Sequence, residues 1–275
     1  MSSRTIAFIG GGNMATALIS GLVADGYDPK RIHVSDSDQQ KLSMLAARLG
    51  IRSAADNAEA AAAADVVILA VKPQVMATVA KELAPLLQRH RPLVVSIAAG
   101  VTETRLRGWL GEGIPLVRTM PNTPAMLQAG ATVLHASAGV SDEQRSLAES
   151  ILRAVGLTLW VEDEGLMDAV TALSGSGPAY FFLVMEAMET VGQELGLPAE
   201  TSRLLTLQTA LGAARMAIES SDGPAVLRER VTSPGGTTER ALEILEQGGI
   251  RELFHQALTG ARDRSRELSA MLGEE

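Results

Sequence analysis

Three short stretches of this chain carry residues whose types and spacing suit chemistry. In the first, Gly10, Gly12 and Ala15 fill the G-x-G-x-x-G/A spacing directly after the apolar run Ile6, Ala7, Phe8, Ile9. Gly10 permits a tight turn, Gly12 lets a pyrophosphate approach the backbone, and Ala15 lets the following helix pack closely on the strand. The free N–H groups and positive dipole end of that helix would receive the phosphates of a dinucleotide. The second stretch, residues 171–180 (TALSGSGPAY), sets two Ser-Gly pairs before a proline suited to the first turn of a helix. The third, residues 232–238 (TSPGGTT), also precedes a helical pattern. Both read as loops opening onto helix N-termini, where amides and hydroxyls offer neutral donors to an anion. A small carboxylate is the natural guest, with phosphate as the alternative. Taken singly each could be a capped turn; together they point to a substrate site.

What is missing narrows the reaction. No lysine follows Lys81, and His255 is the one histidine of the C-terminal region. Enzymes that oxidise alcohols with NAD(P) usually need a lysine or histidine to take the hydroxyl proton. Reducing a carbon–nitrogen double bond is less demanding, because a protonated imine is already an electrophile and brings its own proton. A hydroxyl donor beside the nitrogen then suffices. His255, next to Phe254 in the last helical run, reads as a packed or surface residue.

The elements that position these groups alternate. Strands are expected over residues 6–9, 31–34, 66–71, 93–97, 115–118, 131–135 and 158–161. Helices are expected after the glycine turn and over residues 41–49, 56–64, 75–87, 102–110 and 141–155. This is a Rossmann-type α/β domain over residues 1–163, whose ligands bind along the carboxyl edge of the sheet. At that edge stand Val71-Lys72-Pro73, where the proline ends pairing, and Ala98-Ala99-Gly100, whose small side chains leave room for a flat ring or a close helix. The stiff Met120-Pro121-Asn122-Thr123-Pro124 loop there suits the border of a nicotinamide or a rigid connection. The second strand ends in Ser35-Asp36-Ser37-Asp38 and bears on cofactor choice. A serine at position 35 can donate to a 2′-phosphate and favours NADPH, whereas Asp36 turned inward would favour NADH. Asp36 and Asp38 also suit helix capping.

From Leu166 onward long helical periods replace the alternation, so residues 164–275 read as a second, all-helical domain. Phe181, Met185, Met188, Gly192 and Leu195 recur at helical spacing and read as packing. A region of about 110 residues with such helices would complete its core against a second copy, giving a homodimer.

The 275 residues are 46% hydrophobic with a net charge of −8, which argues against a nucleic-acid surface. With no cysteine there is no disulfide, thiolate metal site or cysteine nucleophile, and no metal site is expected. The first strand is expected from about residue 4, which leaves no room for a signal peptide, and no apolar run approaches the ~20 residues of a membrane span. A cytoplasmic protein fits.

The motifs FIGGGNMA, AVKPQ, SIAAGV, MPNTPA, TALSGSGPAY and TSPGGTT, in that order from Phe8 to Thr238, resemble those of the pyrroline-5-carboxylate reductases. The pairing of SGSGPAY with SPGGTT is the specific part. The resemblance implies reduction of the cyclic imine 1-pyrroline-5-carboxylate to L-proline by NADPH, with NADH also possible. It further implies a Rossmann domain, a helical dimerisation domain, and an active site between them completed by the partner subunit, often in a ring of five dimers. By the same likeness Gly10, Gly12, Asn13 and Met14 would hold the pyrophosphate, Ser35 and Asn57 the adenosine side, and Val71, Lys72, Pro73, Ala98 and Ala99 the rest. Ser174, Ser176, Ser233, Gly235, Gly236, Thr237 and Thr238 would frame the pyrroline and its carboxylate. Thr238 is the candidate for a hydrogen bond to the ring nitrogen, with amides near Gly236 and Thr237 receiving the carboxylate. Many relatives place an arginine where this chain has Ser37, which leaves the choice between NADPH and NADH open. Two other readings remain: a β-hydroxyacid dehydrogenase, whose catalytic lysine has no counterpart here, and a non-catalytic dinucleotide-binding module.

Overall fold

The computed structural model describes residues 4–271. Their backbone separates into two compact units, one running to Ser176 and resuming at Ala261, the other Gly177–Gly260. By backbone contacts the first unit thus runs on to Ser176, and the stretch from Ala261 groups with it.

The first unit is built on one eight-stranded sheet: β1 (Ile6–Ile9), β2 (Ile32–Ser35), β3 (Arg52–Ser53), β4 (Val66–Leu69), β5 (Leu93–Ser96), β6 (Leu116–Met120), β7 (Gly130–Ala136) and β8 (Gly156–Trp160). The spatial order is β3-β2-β1-β4-β5-β6-β7-β8. The six strands from β3 to β6 run parallel, in the doubly wound order that reverses between β1 and β4. Connections decide strand direction. A short turn, residues Thr123–Leu127, joins β6 to β7, so that pair is antiparallel, whereas a helical crossover makes β7 and β8 parallel. The reversal at β7 and the short edge strand β3 are not visible in the sequence pattern.

Period-two alternation buries both faces. Ile6 and Phe8 face α1 (Asn13–Ala24), α2 (Gln39–Leu49) and a third helix further along the chain. Ala7 and Ile9 face α3 (Asn57–Ala61), α4 (Pro73–His90) and α5 (Glu103–Leu110). The remaining helix over the first face is α6 (Asp142–Arg153), and α7 (Met167–Val170) follows β8. Local signals fix the boundaries. Asp38 caps α2 through the Lys41 amide at 3.0 Å and Gly50 closes it at φ +71. Pro73 opens α4 from its first turn, and Ser141 with Gln144 forms a capping box on α6.

The second unit holds α8 (Gly177–Glu194), α9 (Ala199–Glu219), α10 (Pro224–Arg230) and α11 (Thr237–Gln247); α12 (Ile250–Met271) starts in it and ends in the first unit. Gly192 lets α9 approach α8, where the Ser202 hydroxyl donates to the Glu189 carbonyl at 2.8 Å. Among the described residues of this unit no apolar side chain is buried. Phe181 and Phe182 are 67% and 63% exposed, and Leu204, Leu205 and Leu211 are exposed as well. The helical stripe is present, but apart from Gly192, which meets α9, and the half-buried Met185, its members Phe181, Met188 and Leu195 are exposed. No helix of the described residues is long and apolar enough to cross a membrane.

Candidate active site

The glycine turn lies at the switch point of the sheet, between the carboxyl ends of β1 and β4. Gly10 sits at φ +103, and a Cβ there would stand 2.8 Å from the Ala70 carbonyl oxygen and 3.2 Å from Val71, so only glycine fits. A Cβ on Gly12 would meet nothing within 4 Å. The space it would enter is open for a ligand. The N-terminus of α1 has no side-chain cap and no acidic residue in its first turn, and its first intrahelical bond runs from Thr16 N to Gly12 O. The amides of Asn13 and Met14 thus lack an acceptor within the helix. Uncapped donors beside open space fit the pyrophosphate of a nicotinamide dinucleotide.

Ser35 and Asn57, both expected on the adenosine side, are brought together. The Ser35 hydroxyl, in a residue only 2% exposed, donates to Asn57 Oδ1 at 2.7 Å. That geometry departs from a serine aimed at a 2′-phosphate, because its proton is used inside the protein. Asp36 is the residue turned toward the turn. Its Oδ2 accepts the Gly11 amide at 2.6 Å and its Oδ1 the Asp38 amide at 2.8 Å.

At the neighbouring strand ends, Lys72 is exposed and precedes α4, Val71 packs beside Gly10, and Ala98 is buried. Pro73, Ala99 and Gly100 border a cavity of about 590 Å³ within the first unit, together with Thr171 and Ser176. Ala261, Arg264 and Ser265 of α12 form its other side. Residues expected at the cofactor (Pro73, Ala99) and at the substrate (Ser176) therefore share one space.

The stretch carrying Ser174 and Ser176 differs from expectation. Residues Thr171–Gly175 are wound as a π-turn continuous with α7, with Ser176 N donating to Thr171 O at 2.8 Å, not as an open loop. Tertiary contacts override the weak helix propensity of Ser and Gly. Gly175 leaves room for the Met120 methyl group. Asn122 Nδ2 donates to both Ser174 O and Ser174 Oγ at 3.2 Å, while Asn122 Oδ1 accepts the Ala131 amide at 2.9 Å. Just upstream, Glu164 pairs with the buried Arg118 of β6 and accepts the Glu103 amide at 2.6 Å. Ser174 is thus held to β6 and β7 by side chains that sequence reasoning left among a rigid connection. The asparagine between two prolines was the available signal. π-turns inside helices are frequent at functional sites.

In the second unit, the 232–238 stretch does open onto a helix. Gly236 caps α11, Gly235 stands at φ +72, and Thr237 and Thr238 occupy the first turn. Three of its amides are already used: Thr232 N donates to Glu229 O at 3.0 Å, Gly235 N to Glu239 Oε2 at 2.7 Å and Gly236 N to Ser233 O at 3.0 Å. The donors left for an anion are the amides of Thr237 and Thr238, not that of Gly236. Ser233 is exposed and Thr238 half-buried; His255 is exposed.

Comparison with known proteins gives the arrangement its family. Residues 164–268 match the family described as pyrroline-5-carboxylate reductase dimerisation, and residues 5–100 match the NADP oxidoreductase, coenzyme F420-dependent family. The chain is 52% identical over 274 residues to a pyrroline-5-carboxylate reductase of Pseudomonas aeruginosa, covering 100% of both. Its fold is similar to a pyrroline-5-carboxylate reductase structure from Coxiella burnetii, with a TM-score of 0.94 and 50% identity over 97% of this chain and 98% of that one. A pyrroline carboxylate reductase from Plasmodium falciparum with NADP bound gives a TM-score of 0.87 and 27% identity over 98% and 99%. With a relative this similar matched along its whole length, the chain belongs to the pyrroline-5-carboxylate reductase family.

Proposed function

We propose that this chain reduces 1-pyrroline-5-carboxylate to L-proline, the last step of proline biosynthesis. NAD(P)H, when bound, supplies the hydride that the imine carbon receives. The observation that carries the reading is the cavity at the sheet's carboxyl edge, where Pro73 and Ala99 meet Ser176. Gly10, Gly12, Asn13 and Met14 hold the pyrophosphate; Ser35 and Asn57 line the adenosine side; and Val71, Lys72, Pro73, Ala98 and Ala99 support the remainder. The amides of Thr237 and Thr238 take the substrate carboxylate, and the Thr238 hydroxyl bonds the ring nitrogen. Ser174, Ser176, Ser233, Gly235 and Gly236 frame the ring. No general base is required, since the protonated imine carries its proton into the product amine.

The helical region, residues 164–275 by its sequence pattern, serves dimerisation and substrate binding. The exposed apolar faces of α8 and α9 support a homodimer, because a soluble monomer rarely leaves so much contiguous apolar surface uncovered. Family likeness extends this to a ring of five dimers and to the cytoplasm; sedimentation at several protein concentrations counts the subunits. The reaction itself is tested by adding 1-pyrroline-5-carboxylate to enzyme with NADPH or NADH and following loss of nicotinamide absorbance. Oxidation with either cofactor supports the reading. No oxidation with either, while a β-hydroxyacid drives the reverse reaction, would overturn it.

A further inference from the structure

We infer that Glu164 is a positioning residue for hydride transfer: one oxygen of its carboxylate sets the spacing between the cofactor side and the substrate side of the cavity at the sheet's carboxyl edge, an inference that rests on the reductase reading of that cavity. Ala99 and Gly100, in the connection from β5 to α5, form the cofactor side, and Thr171 and Ser176 form the substrate side. Glu164 Oε1 accepts the Glu103 amide at 2.6 Å, and the same atom accepts Nη1 of Arg118. Glu103 is the first residue of α5, so its amide has no acceptor within the helix. The Glu164 carboxylate satisfies it and lies at the positive end of the helix dipole. That contact fixes the start of α5, and with it the short run 98–102 that leaves the sheet.

Arg118 stands in the middle of β6 and is 8% exposed; among the described residues Glu164 is the one carboxylate that pairs with it. The neighbouring acid is taken. Glu103 Oε1 accepts Arg107 Nε at 2.7 Å, and its Oε2 lies 3.5 Å from Nε2 of His135, the cross-strand partner of Arg118. The strand β6, the start of α5 and the turn Glu164–Leu166 thus meet on a single atom. From that turn the chain runs directly into α7 and the π-turn Thr171–Gly175. Met167, 3% exposed, seats α7, and Asp168 Oδ1 accepts the Ser265 hydroxyl at 2.6 Å, which ties α7 to the α12 side of the same cavity. Among the described residues that line the cavity Glu164 is not one, so it acts through these attachments. Hydride transfer needs reacting atoms about 3 to 3.5 Å apart, and a misplacement of about 1 Å can cost on the order of a hundredfold. A common anchor for Ala99 and Ser176 is therefore worth rate.

The test compares the full-length wild type with Glu164→Asp and Glu164→Gln. Aspartate keeps the charge that balances Arg118 but draws its oxygen back from the Glu103 amide by one methylene. Glutamine keeps the length and an acceptor and gives up the charge. The measurements are the single-turnover rate of NADPH oxidation at saturating 1-pyrroline-5-carboxylate, the calorimetric dissociation constant for NADP+, and the melting temperature. Glu164→Asp should lose about tenfold or more in the single-turnover rate, while NADP+ binding stays within about twofold of wild type. Glu164→Gln should melt lower, because a buried Arg118 loses its counter-charge, yet keep the rate within about threefold. Equal rates in wild type and folded Glu164→Asp, a Glu164→Gln rate as low as that of Glu164→Asp, or a fall in rate matched by an equal loss of NADP+ affinity would overturn the positioning role. A wild type that binds NADP+ but turns over no imine with NADPH or NADH would instead overturn the reading on which it rests.

Discussion

Removing Asn122 tests whether Ser174, proposed to frame the substrate ring, is held in place from the sheet. In Asn122→Ala three hydrogen bonds disappear: two from one amide nitrogen to Ser174 O and Oγ, both at 3.2 Å, and one accepted from Ala131 N at 2.9 Å. At a net ~0.5 to 1.5 kcal/mol each, three independent bonds would be worth up to about 4.5 kcal/mol. Two of them share a donor and lie at the long end of the usual N–H···O range, so the expected loss of unfolding free energy is about 2 kcal/mol. Urea titration followed by tryptophan fluorescence reads that loss. The functional consequence is separate. With Ser174 released, kcat/KM for the imine should fall by about tenfold at temperatures where the variant is fully folded, about 1.4 kcal/mol of transition-state stabilisation. Asn122→Asp retains an acceptor for Ala131 N but sets a carboxylate against the Ser174 carbonyl, so it should lose at least as much activity. In a double-mutant cycle with Ser174→Ala the two changes should couple by about 1 kcal/mol. Unchanged kcat/KM in folded Asn122→Ala, or strict additivity in the cycle, would refute the positioning role.

Other substitutions separate binding from folding. Gly12→Ala should melt like the wild type, since its methyl group meets nothing within 4 Å, yet bind NAD(P)H at least about tenfold more weakly because that space is where the pyrophosphate approaches. Equal cofactor affinity in calorimetry would contradict it. Thr238→Val should lose about 1 to 3 kcal/mol in kcat/KM if its hydroxyl bonds the ring nitrogen, and steady-state kinetics with unchanged kcat/KM would remove that role. Glu149 accepts a bond from Trp160 Nε1 at 3.2 Å and pairs with Arg153, which holds its carboxyl below the ordinary range. Its stabilisation is present above the unfolded pKa and lost as pH falls through the lower folded value, so the difference in melting temperature between wild type and Glu149→Gln should shrink on acidification. A difference constant with pH would contradict this.

The elements were legible because their signals are local. Continuous apolar runs at β1, β4 and β5 and the caps at Asp38, Thr102 and Ser141 each depend on a few neighbouring residues, and all form the elements expected of them. Ser35 and Asp36 were harder, since successive side chains of a strand point to opposite faces and a boundary uncertain by one residue exchanges them. Only the register Ile9 to Ser35 shows which one is buried. The 171–176 stretch was read as a loop from its serines and glycines, whereas Met120 and Asn122, more than 50 residues earlier in the chain, hold it wound. The reversal of β7 follows from the shortness of the 123–127 connection, which propensities do not encode.

Two of the readings that needed the structure share a physical cause: each depends on a hydrogen bond between residues far apart in the chain. The Gly11 amide meets Asp36 across 25 positions and Asn122 meets Ser174 across 52. Composition and periodicity say which strand or helix a residue joins, but not which neighbour its polar atoms meet once the sheet is assembled. That separation has a consequence for variation within such a scaffold. A change at Asp36 leaves β2 and α2 their local signals and removes only the acceptor that the Gly11 and Asp38 amides share. The strand and helix beside it can therefore form whatever residue stands there, whereas at Gly10, where a Cβ would stand 2.8 Å from Ala70 O, there is no such freedom.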